Sequence, residues 1–164
     1  LGEGLSQAIG MALAAKLDKK DHQIYCLTSD GEHQEGNTWE AVMAAAKFEL
    51  SNLTVFMDRN NIQIDGSTED VMPLETLRYK YEAFNWKVLE IDGHNIRMIN
   101  DAVREARATH EKPTMIIAHT IPGKGVSFME NDYTWHGKPP NDEEAKKALK
   151  ELRTLQGKIR GEHE

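Results

Sequence analysis

Cysteine occurs only once in these 164 residues, as Cys26, so no disulfide can form within the chain. Cys26 sits in the apolar run Ile24-Tyr25-Cys26-Leu27, where a free cysteine behaves as a small buried hydrophobe. A reducing, cytoplasmic compartment is the expectation. Long hydrophobic runs are missing too: none approaches the roughly 20 residues a membrane helix needs, and no basic-then-apolar leader is expected. The excess of basic residues that marks a nucleic-acid surface is also absent. With 20 Lys and Arg against 27 Asp and Glu, the formal net charge is −7, and the two signs are interspersed along the chain. Neither a membrane nor a nucleic acid is therefore expected as a partner. The first residue is Leu1 and not Met, which reads as a trimmed chain or a fragment.

The length suits one domain with a single core. Short apolar runs rich in β-branched or aromatic residues lie at Ile24 to Thr28, Leu53 to Met57, Trp86 to Ile91 and Thr114 to His119. Helical patterns alternate with them at Thr38 to Leu50, Glu75 to Asn85 and Asn95 to His110. Such alternation predicts an α/β fold, a doubly wound and mostly parallel sheet with helices on both faces. Leu5 to Leu17 reads as a further helix, and Asn141 to Ile159 as a terminal one with apolar residues at Ala145, Leu149, Leu152, Leu155 and Ile159. Asn141 and Asn95 are the expected N-caps. From Trp39 to Phe48, Trp39, Val42, Met43 and Ala46 form one apolar stripe that Ala41, Ala45 and Phe48 extend round the helix. Two readings stand for so apolar a helix: centre of this domain's own core, or a subunit interface.

Asp30-Gly31 follows the first strand directly, and Asp58-Arg59-Asn60-Asn61 follows the second. Ligands of open parallel sheets bind outside the carboxyl ends of neighbouring strands. Both loops offer oxygen donors and neither offers a sulfur or imidazole cluster, which suits a hard cation, magnesium above others. A carboxylate and an amide oxygen fill only part of an octahedron, so phosphate oxygens are expected to complete it. Gly31 allows its N–H to approach a phosphate without a Cβ in the way.

Ser29-Asp30-Gly31, about thirty residues before Asn60 and separated from it by a helix opened by Glu35-Gly36 and Trp39-Glu40-Ala41, resembles the thiamine diphosphate-binding motif. Ser29 stands where the motif has its first glycine. Leu1-Gly2-Glu3-Gly4-Leu5-Ser6, Ile62-x-Ile64-Asp65-Gly66, Asp92-Gly93-His94, Gly123-Lys124-Gly125-Val126-Ser127-Phe128-Met129-Glu130 and Trp135-His136-Gly137 extend the resemblance over essentially the whole chain. It is to transketolase, and in particular to the N-terminal subunits of transketolases encoded in two pieces. Pyruvate dehydrogenases and deoxyxylulose phosphate synthases share the metal motif but usually lack the Ile-Asp-Gly and Trp-His-Gly pair.

The resemblance implies a thiamine diphosphate-binding fold over residues 1 to 164, short of the family's first segment. It implies magnesium held by Asp30, Asn60 and the carbonyl oxygen of Ile62, with Gly31 and Asn60 also meeting the diphosphate. Glu35 would join a carboxylate network between the two cofactors of a dimer. His136 would lie beside the cofactor and the substrate's reacting end, and Leu1 near the thiazolium. The implied reaction moves a two-carbon ketol unit between sugar phosphates, as in the pentose phosphate pathway. The implied partners are further copies of the chain and a pyrimidine-binding-domain subunit, in a homodimer or heterotetramer. Without that subunit, the isolated chain is expected to be inactive. The rival expectation is a non-catalytic cofactor-binding or assembly subunit, or an inactive fragment. His22, His33, His110, His119 and His163 show no metal-ligand spacing and receive no role, and His94 reads as structural.

Overall fold

In a parallel sheet whose interior strands are covered on both faces, those strands read as nearly continuous apolar runs, and here such runs form the centre. The computed structural model describes residues 1–161, with side chains described as far as Leu152. Its strands are β1 (Ile24–Ser29), β2 (Leu53–Arg59), β3 (Ile62–Gln63), β4 (Gly66–Ser67), β5 (Lys87–Asp92) and β6 (Thr114–His119). Its helices are α1 (Glu3–Leu17), α2 (Gly36–Lys47), α3 (Thr68–Val71), α4 (Leu77–Ala83), α5 (Ile96–Arg107) and α6 (Asp142–Gly161), with 3₁₀ turns at Gly31–Gln34 and Tyr133–Trp135. The chain forms two compact units, Leu1–Asn60 with Met72–Thr120, and Asn61–Val71 with Ile121 onward.

The first unit holds a four-stranded sheet in the order β1-β2-β6-β5, parallel throughout. Side chains of successive strand residues point to opposite faces. One face carries Cys26, Val55, Met57, Met115, Ile117 and Val88 into a core with Leu5, Ile9 and Ala12 of α1, Ala41, Val42 and Ala45 of α2, and Leu77 and Tyr81 of α4. The other carries Ile91, Ile116 and Ala118 against Ala102 and Ala106 of α5. Helices therefore cover both faces, as the alternation predicts. β1 lies at the sheet's edge, where Cys26 and Thr28 are buried while Tyr25 is 47% and Leu27 78% exposed.

The apolar helix is buried on one side and open on another. Its Ala41-Val42-Ala45 side is core, whereas Met43 is 52% and Phe48 44% exposed. Small residues on α1 and α2 allow the pair to pack closely, and Lys16 of α1 closes the end of α2 by donating to the carbonyls of Phe48 at 2.7 Å and Glu49 at 3.1 Å. A cation at a helix C-terminus also complements the helix dipole. Asn95 caps α5 by accepting from Arg97 N at 3.0 Å and Met98 N at 3.1 Å. Trp86, assigned to a strand by its sequence, lies just before β5 and is anchored by its indole N–H donating to the carbonyl of Val42 at 3.0 Å.

In the second unit, β3 and β4 form an antiparallel hairpin followed by α3. Gly123 has φ +72, and a Cβ there would fall 2.7 Å from the backbone of Met129, so the turn requires glycine on both counts. Asn141 and Glu144 form a capping box at α6: Asn141 Oδ1 accepts from Glu144 N at 2.9 Å, and Glu144 Oε2 accepts from Asn141 N at 2.8 Å. Among the described side chains of α6, Ala148 is buried, while Leu149 and Leu152 are exposed. Leu155 and Ile159 lie outside the residues whose side chains are described.

Burial raises the Cys26 thiol pKa, and the nearby charge of Glu32 raises it further, so little nucleophilic thiolate exists at neutral pH. A disulfide reagent applied at pH 7 should label Cys26 only after denaturant unfolds the chain. Rapid, stoichiometric labelling of the native protein would contradict its placement in the core.

Candidate functional site

Beyond the strands, hydrogen bonds continue the ladder and line up the loops at the carboxyl edge of the sheet. Asp30 N donates to the carbonyl of Asp58 at 3.2 Å, Thr120 N to that of Arg59 at 3.2 Å and Gly93 N to that of His119 at 2.8 Å. The loops after β1, β2, β6 and β5 therefore leave from one fixed line, where open α/β sheets take their ligands.

Asp30 is fully buried, at 0% exposure. Its Oδ1 accepts from Gly31 N at 2.7 Å, and its Oδ2 lies 2.9 Å from Nη1 of Arg59. Arg59 reaches it because the two-residue period of β2 sets Arg59 on the same face as Val55 and Met57. The other guanidinium nitrogen, Nη2, contacts Glu75 Oε1 at 2.9 Å, and Glu75 Oε2 accepts from Leu77 N at 3.1 Å at the start of α4.

Asn60 is half-buried, and its Nδ2 donates to Asp58 Oδ2 at 3.3 Å. Asp58 Oδ1 in turn accepts a short hydrogen bond from the hydroxyl of Thr120. Asp58 thus joins two of the three predicted ligands, its carbonyl to Asp30 and its carboxylate to Asn60. Thr120 is packed against Gly93, where a Cβ would come 2.5 Å from Thr120 Cγ2 and 3.1 Å from the carbonyl oxygen of His119. The Asp92-Gly93-His94 signature therefore has a packing reason: only glycine fits against the end of β6. His94 is exposed, and its N–H donates to Asp92 Oδ1 at 2.8 Å, consistent with a structural part in this turn.

Glu32 ties the loop to the first residues of the chain, accepting from Ser29 N at 2.9 Å and from Gly2 N at 3.1 Å. Leu1 beside Gly2 is 88% exposed. Glu35 occupies the N-cap position of α2 but makes no capping hydrogen bond, and its side chain is exposed. Leu1, Asp30, Gly31, Glu35 and Asn60 all belong to the first unit, Ile62 and His136 to the second. Ile62 is half-buried in β3, opposite Ser67. His136 is exposed and closes the Tyr133–Trp135 turn with its N–H donating to Tyr133 O at 2.8 Å.

Beneath the Asp30 loop lies His33, which its sequence neighbourhood did not single out. The ring is fully buried, with Nδ1 2.7 Å from Ser29 O and Nε2 2.7 Å from the Tyr81 hydroxyl. A carbonyl can only accept, so Nδ1 carries the proton and Nε2 accepts from Tyr81. Burial lowers the His33 pKa against the opposing pull of the Ser29 hydrogen bond. Burial also holds the Tyr81 pKa well above its usual value, and both groups are neutral. Arg59, by contrast, was foreseeable from strand alternation. Asp58 and Thr120 were not, since their side chains meet only across neighbouring strands.

A hard divalent cation with a diphosphate fits the chemistry of Asp30 and Asn60, a carboxylate and an amide oxygen. A carboxylate has about four acceptor sites, so ligating a cation does not require Asp30 to give up Arg59. Among the described residues, no group of three or more His, Cys, Asp or Glu side chains could hold a metal, so an ion here would draw other ligands from backbone, water or phosphate. No described helix is long and apolar enough to cross a membrane.

Residues 1–157 match the family model for the transketolase thiamine diphosphate binding domain. Over 152 residues the chain is 45% identical to an apulose-4-phosphate transketolase subunit of Phocaeicola vulgatus, covering 93% of this chain and 54% of that protein. It is also 45% identical, over 152 residues, to the 6-deoxy-6-sulfo-D-fructose transketolase subunit SqwG of a Clostridium species, covering 93% and 55%. The solved transketolase of Campylobacter jejuni superposes with a TM-score of 0.86 at 37% identity, over 93% of this chain and 25% of that one. The chain thus spans about half the length of these curated relatives.

Gly93→Ala should cost about 1–3 kcal/mol, the usual penalty for overpacking, because Thr120 and the His119 carbonyl would have to shift. A urea titration should give a lower midpoint with an unchanged slope. An unchanged midpoint would mean that the end of β6 is not packed against Gly93.

Proposed function

Because the chain belongs to the transketolase family, through its thiamine diphosphate-binding domain, we propose that it is the diphosphate-gripping part of a transketolase assembled from more than one chain. The carrying observation is the joining of Asp30 and Asn60 through Asp58 at the carboxyl edge of the sheet. When bound, thiamine diphosphate supplies a thiazolium electron sink for moving a two-carbon ketol unit between sugar phosphates.

This chain's own residues bind and position. Asp30 supplies the charged ligand to magnesium and Asn60 its amide oxygen, with the Ile62 carbonyl as third ligand on the family resemblance. Gly31 N donates to Asp30 Oδ1 at 2.7 Å, so a hydrogen bond from it to the diphosphate shares or replaces that one. The exposed Glu35 carboxylate is the group for a network across a subunit interface. His136 is the residue for proton transfer or orientation at the substrate's reacting end, and Leu1 the apolar neighbour of the thiazolium.

Both curated relatives carry the word subunit in their names, which supports a partner chain bearing the pyrimidine-binding domain. The exposed Met43 of α2 and Phe48 at its C-cap support self-association through that helix, as a homodimer or within a heterotetramer. A cytoplasmic location belongs to the same reading.

Two adjacent phosphates entering a chain of net negative charge need a cation to offset repulsion. Calorimetric titration with thiamine diphosphate should give binding that requires magnesium and is abolished in Asp30→Ala. Unchanged binding by that variant would dismiss the metal site. The chain alone should show no ketol transfer, and a pyrimidine-domain partner should restore it. General acid–base assistance of the kind the partner supplies is worth about 100 to 10,000-fold. Robust turnover by the chain alone would contradict the divided-enzyme reading, and binding without rescue would favour a non-catalytic assembly subunit.

A further inference from the structure

We propose that His33 and Tyr81 are positioning residues for this site, a buried hydrogen-bonded pair that sets the Ser29-Asp30-Gly31 turn and so aims the Asp30 carboxylate. The inference rests on the reading of Asp30 as a ligand of the magnesium–diphosphate unit.

Residue 33 grips the turn twice. Its backbone N–H donates to the carbonyl of Asp30 at 2.9 Å, and its ring Nδ1–H donates to the carbonyl of Ser29 at 2.7 Å. Those two carbonyls flank the α-carbon of Asp30, so the direction in which the carboxylate leaves the backbone follows from where His33 stands.

Tyr81 decides where the ring stands. Its hydroxyl donates to His33 Nε2 at 2.7 Å, and its own ring is wedged between Trp39, at 5.6 Å between centroids, and Trp86, at 5.4 Å. Trp39 also donates from its indole nitrogen to the His33 carbonyl at 2.8 Å. His33 is therefore held through both its ring and its backbone by side chains of α2 and α4.

An apolar pair of similar volume would fill this part of the core without the desolvation that an imidazole and a phenol incur. What the polar pair adds is direction, because a hydrogen bond in a low-dielectric interior fixes distance and angle together. Tyr81 lies 48 residues from His33 in sequence and in another helix. The pair thus couples the metal-ligand turn to α4, the helix whose first turn also receives Glu75, the second partner of Arg59. Displacing a catalytic group by about 1 Å can cost on the order of 100-fold, so a small drift of this turn matters.

The test titrates thiamine diphosphate, at saturating magnesium, into the protein and its variants Tyr81→Phe, His33→Leu and His33→Asn. Ile116→Val, in the core on the opposite face of the sheet, serves as a destabilised control. Tyr81→Phe keeps the ring and removes the hydroxyl, and His33→Asn keeps a donor for Ser29. Tyr81→Phe and His33→Leu should weaken binding by about tenfold or more, as losing the groups that orient a metal ligand commonly does, with His33→Asn recovering part of the loss. In the cofactor-free protein, the same two variants should speed hydrogen exchange at the amides of Asp30 and His33. Ile116→Val should lower the melting temperature and change neither readout. Parent-like binding and exchange in Tyr81→Phe, or effects no larger than those of the control at matched stability, would overturn the proposal. If the parent itself binds no thiamine diphosphate, the cofactor reading fails, and the amide exchange alone decides whether the pair positions the turn.

Discussion

Placing the Asp30 carboxylate wholly out of water is the constraint on which the rest of the site depends. An ionised carboxylate loses several kcal/mol of solvation on burial, and only close, well-aligned partners offset the loss. Here Arg59 stands 2.9 Å from one oxygen and Gly31 N 2.7 Å from the other. Arg59 is itself almost wholly buried and needs a second anion, which Glu75 provides from a position 52% exposed at the side chain. The charge is thus relayed outward, from a dry carboxylate through a dry guanidinium to a carboxylate at the surface. A divalent cation at Asp30 would bring two positive charges to two carboxylates and one guanidinium, a group of net negative charge, which is electrostatically favourable.

The sheet makes this arrangement possible. Its parallel register places Ser29 beside Asp58 and Asp58 beside Ala118, so three strands end together and their following loops converge. Apolar layers below, with Met57, Met115 and Ile117 on one face, exclude water and stiffen the strands from which Asp30, Asp58 and Thr120 depart. On that platform two polar clusters grow, one linking Thr120, Asp58 and Asn60, the other linking Tyr81, His33 and Ser29. The first fixes an amide and the second a turn. Neither could hold its geometry on a loop that leaves from a mobile strand.

Much of this was legible in the chain itself. The strands at Ile24, Leu53 and Thr114, the caps at Asn95 and Asn141, and the position of Asp30 and Asn60 just past strand ends all follow from local rules: period two, side-chain capping, and loops at the carboxyl edge. Such rules act over a few residues, and a single sequence displays them directly. Arg59 was half legible, since alternation along β2 turns it inward but does not say that Asp30 awaits it. Which side of α6 is buried was not legible, because an amphipathic helix with Leu149 and Leu152 among many charged residues is oriented by what it packs on, which a helical wheel does not contain.

Sequence by itself determined the alternation of strands and helices, the family motif, and which residue types stand at the carboxyl edge. Tertiary structure alone decided the partners: Tyr81 for His33 across 48 residues, Thr120 for Asp58 across 62 and Arg59 for Asp30 across 29. The physical reason is range. Backbone hydrogen bonding and side-chain periodicity are encoded within one turn or one pleat, whereas a buried polar group takes whichever partner the packing of distant segments brings within hydrogen-bond reach, and that choice exists only once the core has closed.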